Sequence, residues 1–222
     1  SRRQRQMCIR DSLIMIGFYN VSVILTYAGV VSAVFGMSAA FNGNFKIAMI
    51  CLMISGFTDM YDGTVAKMIK RSDDAKKFGI EIDSLCDLIC FGAFPVVIGY
   101  SMGMDAWYAK IIYMMYILGA VIRLAFFNVT EEQRQAETSE RRKHYRGLPV
   151  TSVALILPVV YQLKRFFTAQ FPYIYLLAVL IISLLFVIDF SVFKPGKKCM
   201  FAFVIIGILT VSYTHLRAHE TE

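Results

Sequence analysis

The sequence predicts an all-α fold: a polytopic transmembrane helical bundle with a six-helix core and a seventh helix cut short. Three observations predict it. Of the 222 residues, 57% are hydrophobic, and the apolar residues gather in runs that approach the ~20 needed to cross a bilayer. The basic residues fall in the short connections between those runs, as they do in membrane proteins whose loops report orientation. Two of the runs nevertheless carry carboxylates, which are costly at membrane depth and therefore mark function.

The first run covers about Gly17 to Phe41 and stops at the turn signal Asn42, Gly43, Asn44. The second goes from Phe45 to about Ile69 and contains Asp59 and Asp62. A charged connection from Lys70 to Lys77 leads to the third, Phe78 to about Tyr100, which holds Asp83, Asp87 and a kink expected at Pro95. After a turn at Ser101 to Asp105, the fourth run extends from Ala106 to about Val129. Thr130 to Gly147 is the longest polar stretch, and the fifth run (Leu148 to about Phe167) and sixth (Phe171 to about Phe190) follow. The last begins near Cys199.

Both ends look foreign to this pattern. Ser1 to Ser12 and the stretch from Ser212 to Glu222 resemble translated sequencing-adapter read-through, so the expected domain is 13–211, with Met15 read as the natural start. The net charge of +7 could suggest a nucleic-acid partner. Its distribution argues instead for a lipid bilayer and no nucleic acid. Lys70, Arg71, Lys76, Lys77, Arg134, Arg141, Arg142, Lys143, Arg146, Lys194, Lys197 and Lys198 all fall on one side when the spans alternate, against little beyond Lys164 and Arg165 on the other. The positive-inside rule makes the richer side cytoplasmic. Trp107, Tyr108 and Tyr113 read as interfacial anchors near the opposite surface. The five cysteines have neither metal-ligand nor disulfide spacing, and Cys86 beside Asp87 reads as a small buried hydrophobe. His144, alone in a charged loop, reads as solvated.

The chemistry concentrates between Asp59 and Asp87. Asp59 and Asp62 are spaced i,i+3, with Ala66 four residues further, near one face of a helix. Gly79, Asp83 and Asp87 form a stripe on the next. Packed antiparallel, the two helices would gather four carboxylates, with Gly63 and Gly79 leaving room for a ligand. Hard oxygen donors without His or paired Cys suit Mg²⁺, Mn²⁺ or Ca²⁺. Asp73 and Asp74, by contrast, need be no more than helix-start acids.

These residues carry a resemblance. Asp59, Asp62, Gly63 and Ala66, followed by Gly79, Asp83 and Asp87, resemble the defining motif of the CDP-alcohol phosphotransferases. The stretch FGIEIDSLCDLICFGAFP (Phe78 to Pro95), with RLAFFN (Arg123 to Asn128) and YRGLPVTS (Tyr145 to Ser152), is similar to the phosphatidylserine synthase branch. The resemblance implies CDP-diacylglycerol and L-serine as substrates, Mg²⁺ or Mn²⁺ as cofactor, a homodimer, and a prokaryotic cell membrane with the site facing the cytoplasm. It implies that Asp59, Asp62 and Asp83 hold the metals with Asp87 nearby, and that Asp87 is the catalytic base taking the serine hydroxyl proton. It also implies a CDP pocket of Asp59, Asp62, Gly63, Ala66, Lys67, Gly79 and Asp83. Lys67 departs from the family's usual arginine and lacks its planar two-pronged donor. For the acceptor, Arg123, Asn128, Arg142, Lys143 and Arg146 are the candidates, since a guanidinium grips a carboxylate. Arg123 stands out because it lies inside an apolar run. The same positive loop would also arise from orientation alone.

Other acceptors (glycerol 3-phosphate, an inositol phosphate) or an archaeal ether-lipid donor would keep the reaction. A cation transporter is the reading from another class. Against it, no internal repeat is visible, whereas transporters are commonly built from paired halves.

Overall fold

The computed structural model describes residue 17 and residues 21–68, 72–137 and 144–193, with side chains left undescribed at 67, 134–137, 144–146 and 191–193. Expectations about the leader 1–12, the seventh span from Cys199, the tail 212–222, and the side chains of Arg142 and Lys143 fall outside these residues.

Among the described residues, six helical spans make up the bundle. α1 (Val21–Phe41) and α2 (Phe45–Met68) form a hairpin. Its turn closes when Gly43 and Asn44 donate their amides to Ala40 and Ala39. Gly43 sits at φ +76°, where only glycine is unstrained. Small residues let the pair approach closely: a side chain on Gly29 would strike Thr58, and one on Gly36 would strike Phe94 and Cys51. The Ser55 hydroxyl completes the seam by donating to the Gly29 carbonyl at 2.9 Å.

The third span is α3 (Asp73–Asp87), a π-helical segment (Leu88–Ala93) and α4 (Phe94–Ser101), continuous from end to end. It starts five residues earlier than the apolar run suggests. Ser72 accepts the Ala75 amide as an N-cap, and Asp73 and Asp74 occupy the positive first turn. The kink expected at Pro95 takes the form of the π segment just ahead of it.

α5 (Trp107–Glu137) outruns its apolar stretch by eight residues. TEEQRQAE contains no breaker and is rich in strong helix formers, so polarity alone does not end the helix. The fifth span departs most from expectation. A 3₁₀ turn (Val150–Ser152), α6 (Val153–Tyr161) and a second 3₁₀ segment (Gln162–Arg165) replace one long helix, with Pro149 before it and Pro158 within it. α7 (Phe171–Val187) closes the bundle.

The all-α expectation holds for the body. A two-stranded antiparallel ribbon, β1 (His144–Arg146) with β2 (Ser191–Phe193), was not expected and pairs Tyr145 with Val192. The core lies where α1, α2, the π segment, α5 and α7 converge, around Phe91, Phe94, Tyr113, Tyr116 and Tyr175. Among the described residues, three helical stretches are long and apolar enough to cross a bilayer, namely 21–41, 73–101 and 107–133. This is an integral membrane protein.

Candidate metal centre

α2 and α3 bring the motif carboxylates together in antiparallel order. Asp59 lies against Asp87, and Asp62 lies against Asp83, so ascending numbers on one helix meet descending numbers on the other. Each of Asp59, Asp83 and Asp87 offers an oxygen within 4.8 Å of the others. Asp62 stands at the edge of that trio, only 4% exposed, and accepts a 2.7 Å hydrogen bond from the Thr26 hydroxyl of α1.

Carboxylates crowded into a shared, partly buried space repel one another unless a proton or a cation lies between them. Among the described residues no basic side chain forms an ion pair with these carboxylates. Asp83 Oδ1 is buried and has no hydrogen-bond partner among the described residues. An orphaned buried oxygen, an oxygen-only donor set and ligand spacing of this size fit a hard divalent ion such as Mg²⁺ or Mn²⁺. Asp59, Asp62 and Asp87 line a small, partly open pocket together with Thr26, Ser55, Thr58 and Cys86. Among the described residues, Cys51, Cys86 and Cys90 are buried and unbridged.

The remaining expected residues fall in three groups. Gly63 is exposed, and a side chain there would meet nothing within 4 Å, so the helix face beside Asp62 is open. Ala66 and Gly79 are partly buried near the same end, and Lys67 continues α2 with its side chain undescribed. Asn128 of α5 donates its amide to Ser84 at 2.8 Å, which ties it to the helix turn between Asp83 and Asp87.

Arg123 is buried at 7% exposure, and its guanidinium donates to the Leu148 carbonyl (2.9 Å) and the Gly147 carbonyl (3.0 Å). Gly147, at φ +73°, turns the chain so that these carbonyls face it. Arg146 lies in β1.

Sequence reasoning missed Thr26. Its signal was available: Ser22, Thr26 and Gly29 share one face of a largely apolar helix at spacings of four and three.

Fold and site together define a membrane-embedded helical bundle with a carboxylate centre built across two antiparallel spans. The signature of the CDP-alcohol phosphatidyltransferase family matches residues 19–188, and the chain belongs to that family. It is 36% identical over 109 residues to the CDP-diacylglycerol–serine O-phosphatidyltransferase of Saccharomyces cerevisiae, covering 48% of this chain and 38% of that protein. It is 31% identical over 121 residues to the archaetidylserine synthase of Methanothermobacter thermautotrophicus, covering 54% and 48%. A CDP-diacylglycerol–serine O-phosphatidyltransferase of Bacillus subtilis is 22% identical over 142 residues, covering 63% and 74%. The chain thus spans about half the length, or less, of the yeast and archaeal relatives.

Proposed function

We propose that this protein transfers a phosphatidyl group from CDP-diacylglycerol to the hydroxyl of L-serine, giving phosphatidylserine and CMP. The observation that carries the reading is the opposed trio Asp59, Asp83 and Asp87 with a buried, unpartnered oxygen, in a chain of this family. The serine-specific names of relatives from a yeast and a bacterium support the acceptor.

Asp59, Asp62, Asp83 and Asp87 would hold the divalent ion, which when bound neutralises the pyrophosphate and polarises its phosphorus–oxygen bonds. Thr26 keeps Asp62 in one orientation. Asp87 takes the proton from the serine hydroxyl as that oxygen bonds to the phosphorus next to diacylglycerol. The bond from this phosphorus to the CMP oxygen breaks, and CMP carries the electron pair away. Gly63, Ala66, Lys67 and Gly79 form the CDP pocket, where the open face at Gly63 admits the nucleotide against the backbone. Asn128, Arg142, Lys143 and Arg146 receive the serine carboxylate, while Arg123 holds the Gly147 and Leu148 carbonyls. The basic loops support a site that faces the cytoplasm. The working unit is a homodimer.

The archaeal relative favours a second reading, in which the same reaction uses an ether-lipid donor. The test is CMP release by the purified protein in detergent with Mg²⁺ or Mn²⁺. CDP-diacylglycerol and its ether analogue serve as donors, and L-serine, glycerol 3-phosphate and myo-inositol phosphate as acceptors. Serine-dependent release that disappears in Asp87→Asn is the expected result. Release only with another acceptor would overturn the choice of substrate. No release from folded, metal-supplemented protein would overturn the transferase reading.

A further inference from the structure

The π-helical segment begins at the residue after Asp87, and its cause can be read from the chain. In an α-helix the Phe91 carbonyl would accept the amide four residues on, but that residue is Pro95, which has no N–H and whose ring would press on that carbonyl. The wider turn relieves this, as when Phe94 donates to Ile89 five residues back. A π turn absorbs an extra residue and so rotates everything before it by about 100° relative to everything after it. Asp83 and Asp87 lie before it, and the core-packed Phe94 lies after it.

Two buried tyrosines from other helices hold this segment. Tyr116 of α5, with no exposed surface, donates its hydroxyl to the Phe91 carbonyl at 2.6 Å. Tyr175 of α7, equally buried, donates to the Pro95 carbonyl at 2.8 Å. Tyr116 also stacks on Phe186 of α7, with ring centroids 5.5 Å apart, so the two donors belong to one packed frame. Tyr113, one turn earlier on α5, is buried as well, yet its hydroxyl has no partner among the described residues.

We propose that Tyr116 and Tyr175 are positioning residues for the carboxylate centre: by holding the Phe91 and Pro95 carbonyls they fix the π turn that aims Asp83 and Asp87 at Asp59. The inference rests on the reading of this centre as the working site. Loss of either hydroxyl lets the segment relax toward other helical phases and loosens the spacing of the trio. Tyr113, with an unengaged hydroxyl, has no such effect.

The geometry is tested without metal. An Asp59→Cys/Asp87→Cys pair is placed in the full chain with Cys8, Cys51, Cys86, Cys90 and Cys199 changed to Ser, and its oxidative cross-linking rate is measured in detergent. Tyr116→Phe and Tyr175→Phe should each slow cross-linking several-fold, and Tyr113→Phe should leave it unchanged. In the chain with its aspartates intact, Mn²⁺ affinity read by electron paramagnetic resonance should fall roughly tenfold in the first two variants, the size seen when a group supporting metal ligands is removed. Cross-linking as fast in Tyr116→Phe and Tyr175→Phe as with both tyrosines present would overturn the proposal, even if their unfolding temperatures drop. If the unsubstituted protein binds no Mn²⁺ while cross-linking still slows, the metal reading fails and the positioning role stands.

Discussion

Two buried charged regions of this bundle are treated in opposite ways. Arg123 lies within a membrane span and is met by two backbone carbonyls, from Gly147 and Leu148. The carboxylates of α2 and α3 are met mainly by one another, and Asp83 keeps a buried oxygen with no partner among the described residues. A buried charge surrounded by fixed dipoles works as part of the scaffold. Carboxylates left facing each other hold a place for something that arrives from outside. The two regions should therefore respond oppositely to mutation, one losing stability and the other losing chemistry.

The largest effect should come from Asp87→Asn. The change keeps shape, removes the proton acceptor and reduces repulsion within the trio. CMP release should fall by ~10³-fold or more, a loss expected when a general base is removed along with a ligand. Thermal unfolding in detergent should be unchanged or shifted upward. A fall in unfolding temperature matching the loss of activity would erase the contrast with Arg123. Removing divalent ions with EDTA should abolish release as completely, and Mn²⁺ should restore it. At about a hundredfold excess over its dissociation constant, Mn²⁺ should also stabilise the protein by about 2.7 kcal/mol, and not stabilise an Asp59→Asn/Asp83→Asn double variant.

Arg123→Met should do the reverse. Two carbonyls in an apolar setting lose their donor, at a cost of about 2–3 kcal/mol read from denaturation. The serine KM of the surviving folded fraction should move little. A large rise in that KM with stability intact would make Arg123 an acceptor ligand and break the comparison from the other side. Thr26→Val should have the smallest effect. It removes the hydroxyl that orients Asp62, so metal affinity should weaken roughly tenfold with the fold preserved. An unchanged affinity would separate Asp62 from the centre.

The legible parts of the sequence were those with a local signal. Helical spans announce themselves by apolar length, and Asp59, Asp62, Asp83 and Asp87 by charge where none is expected. The hidden parts depend on partners far along the chain. Thr26 meets Asp62 across 36 residues, Tyr116 meets Phe91 across 25, and Tyr175 meets Pro95 across 80. Hydroxyls are common in apolar helices, so nothing local marks Tyr116 or Tyr175 as engaged, and the Ser22, Thr26, Gly29 face does not name the partner that Thr26 meets. Arg123 was legible as exceptional, while its backbone partners were not, because they depend on the turn at Gly147. Pro95 announced a break without revealing that the helix would widen and continue. α6 was masked by uniform apolarity, which hid two 3₁₀ segments inside what read as one span.

A turn of only three residues makes α1 and α2 neighbours as soon as both have been synthesised. The hairpin can therefore enter the bilayer as one unit, with the seam at Gly29, Ser55 and Thr58 already closed. Delivering α2 alone would expose Asp59 and Asp62 to hydrocarbon, an arrangement whose insertion cost rises with every uncompensated charge. The hydrogen bond from Thr26 to Asp62 lies wholly within the hairpin, so it needs no residue of α3. α1, which carries no carboxylate of its own, is thus one wall of the acidic centre.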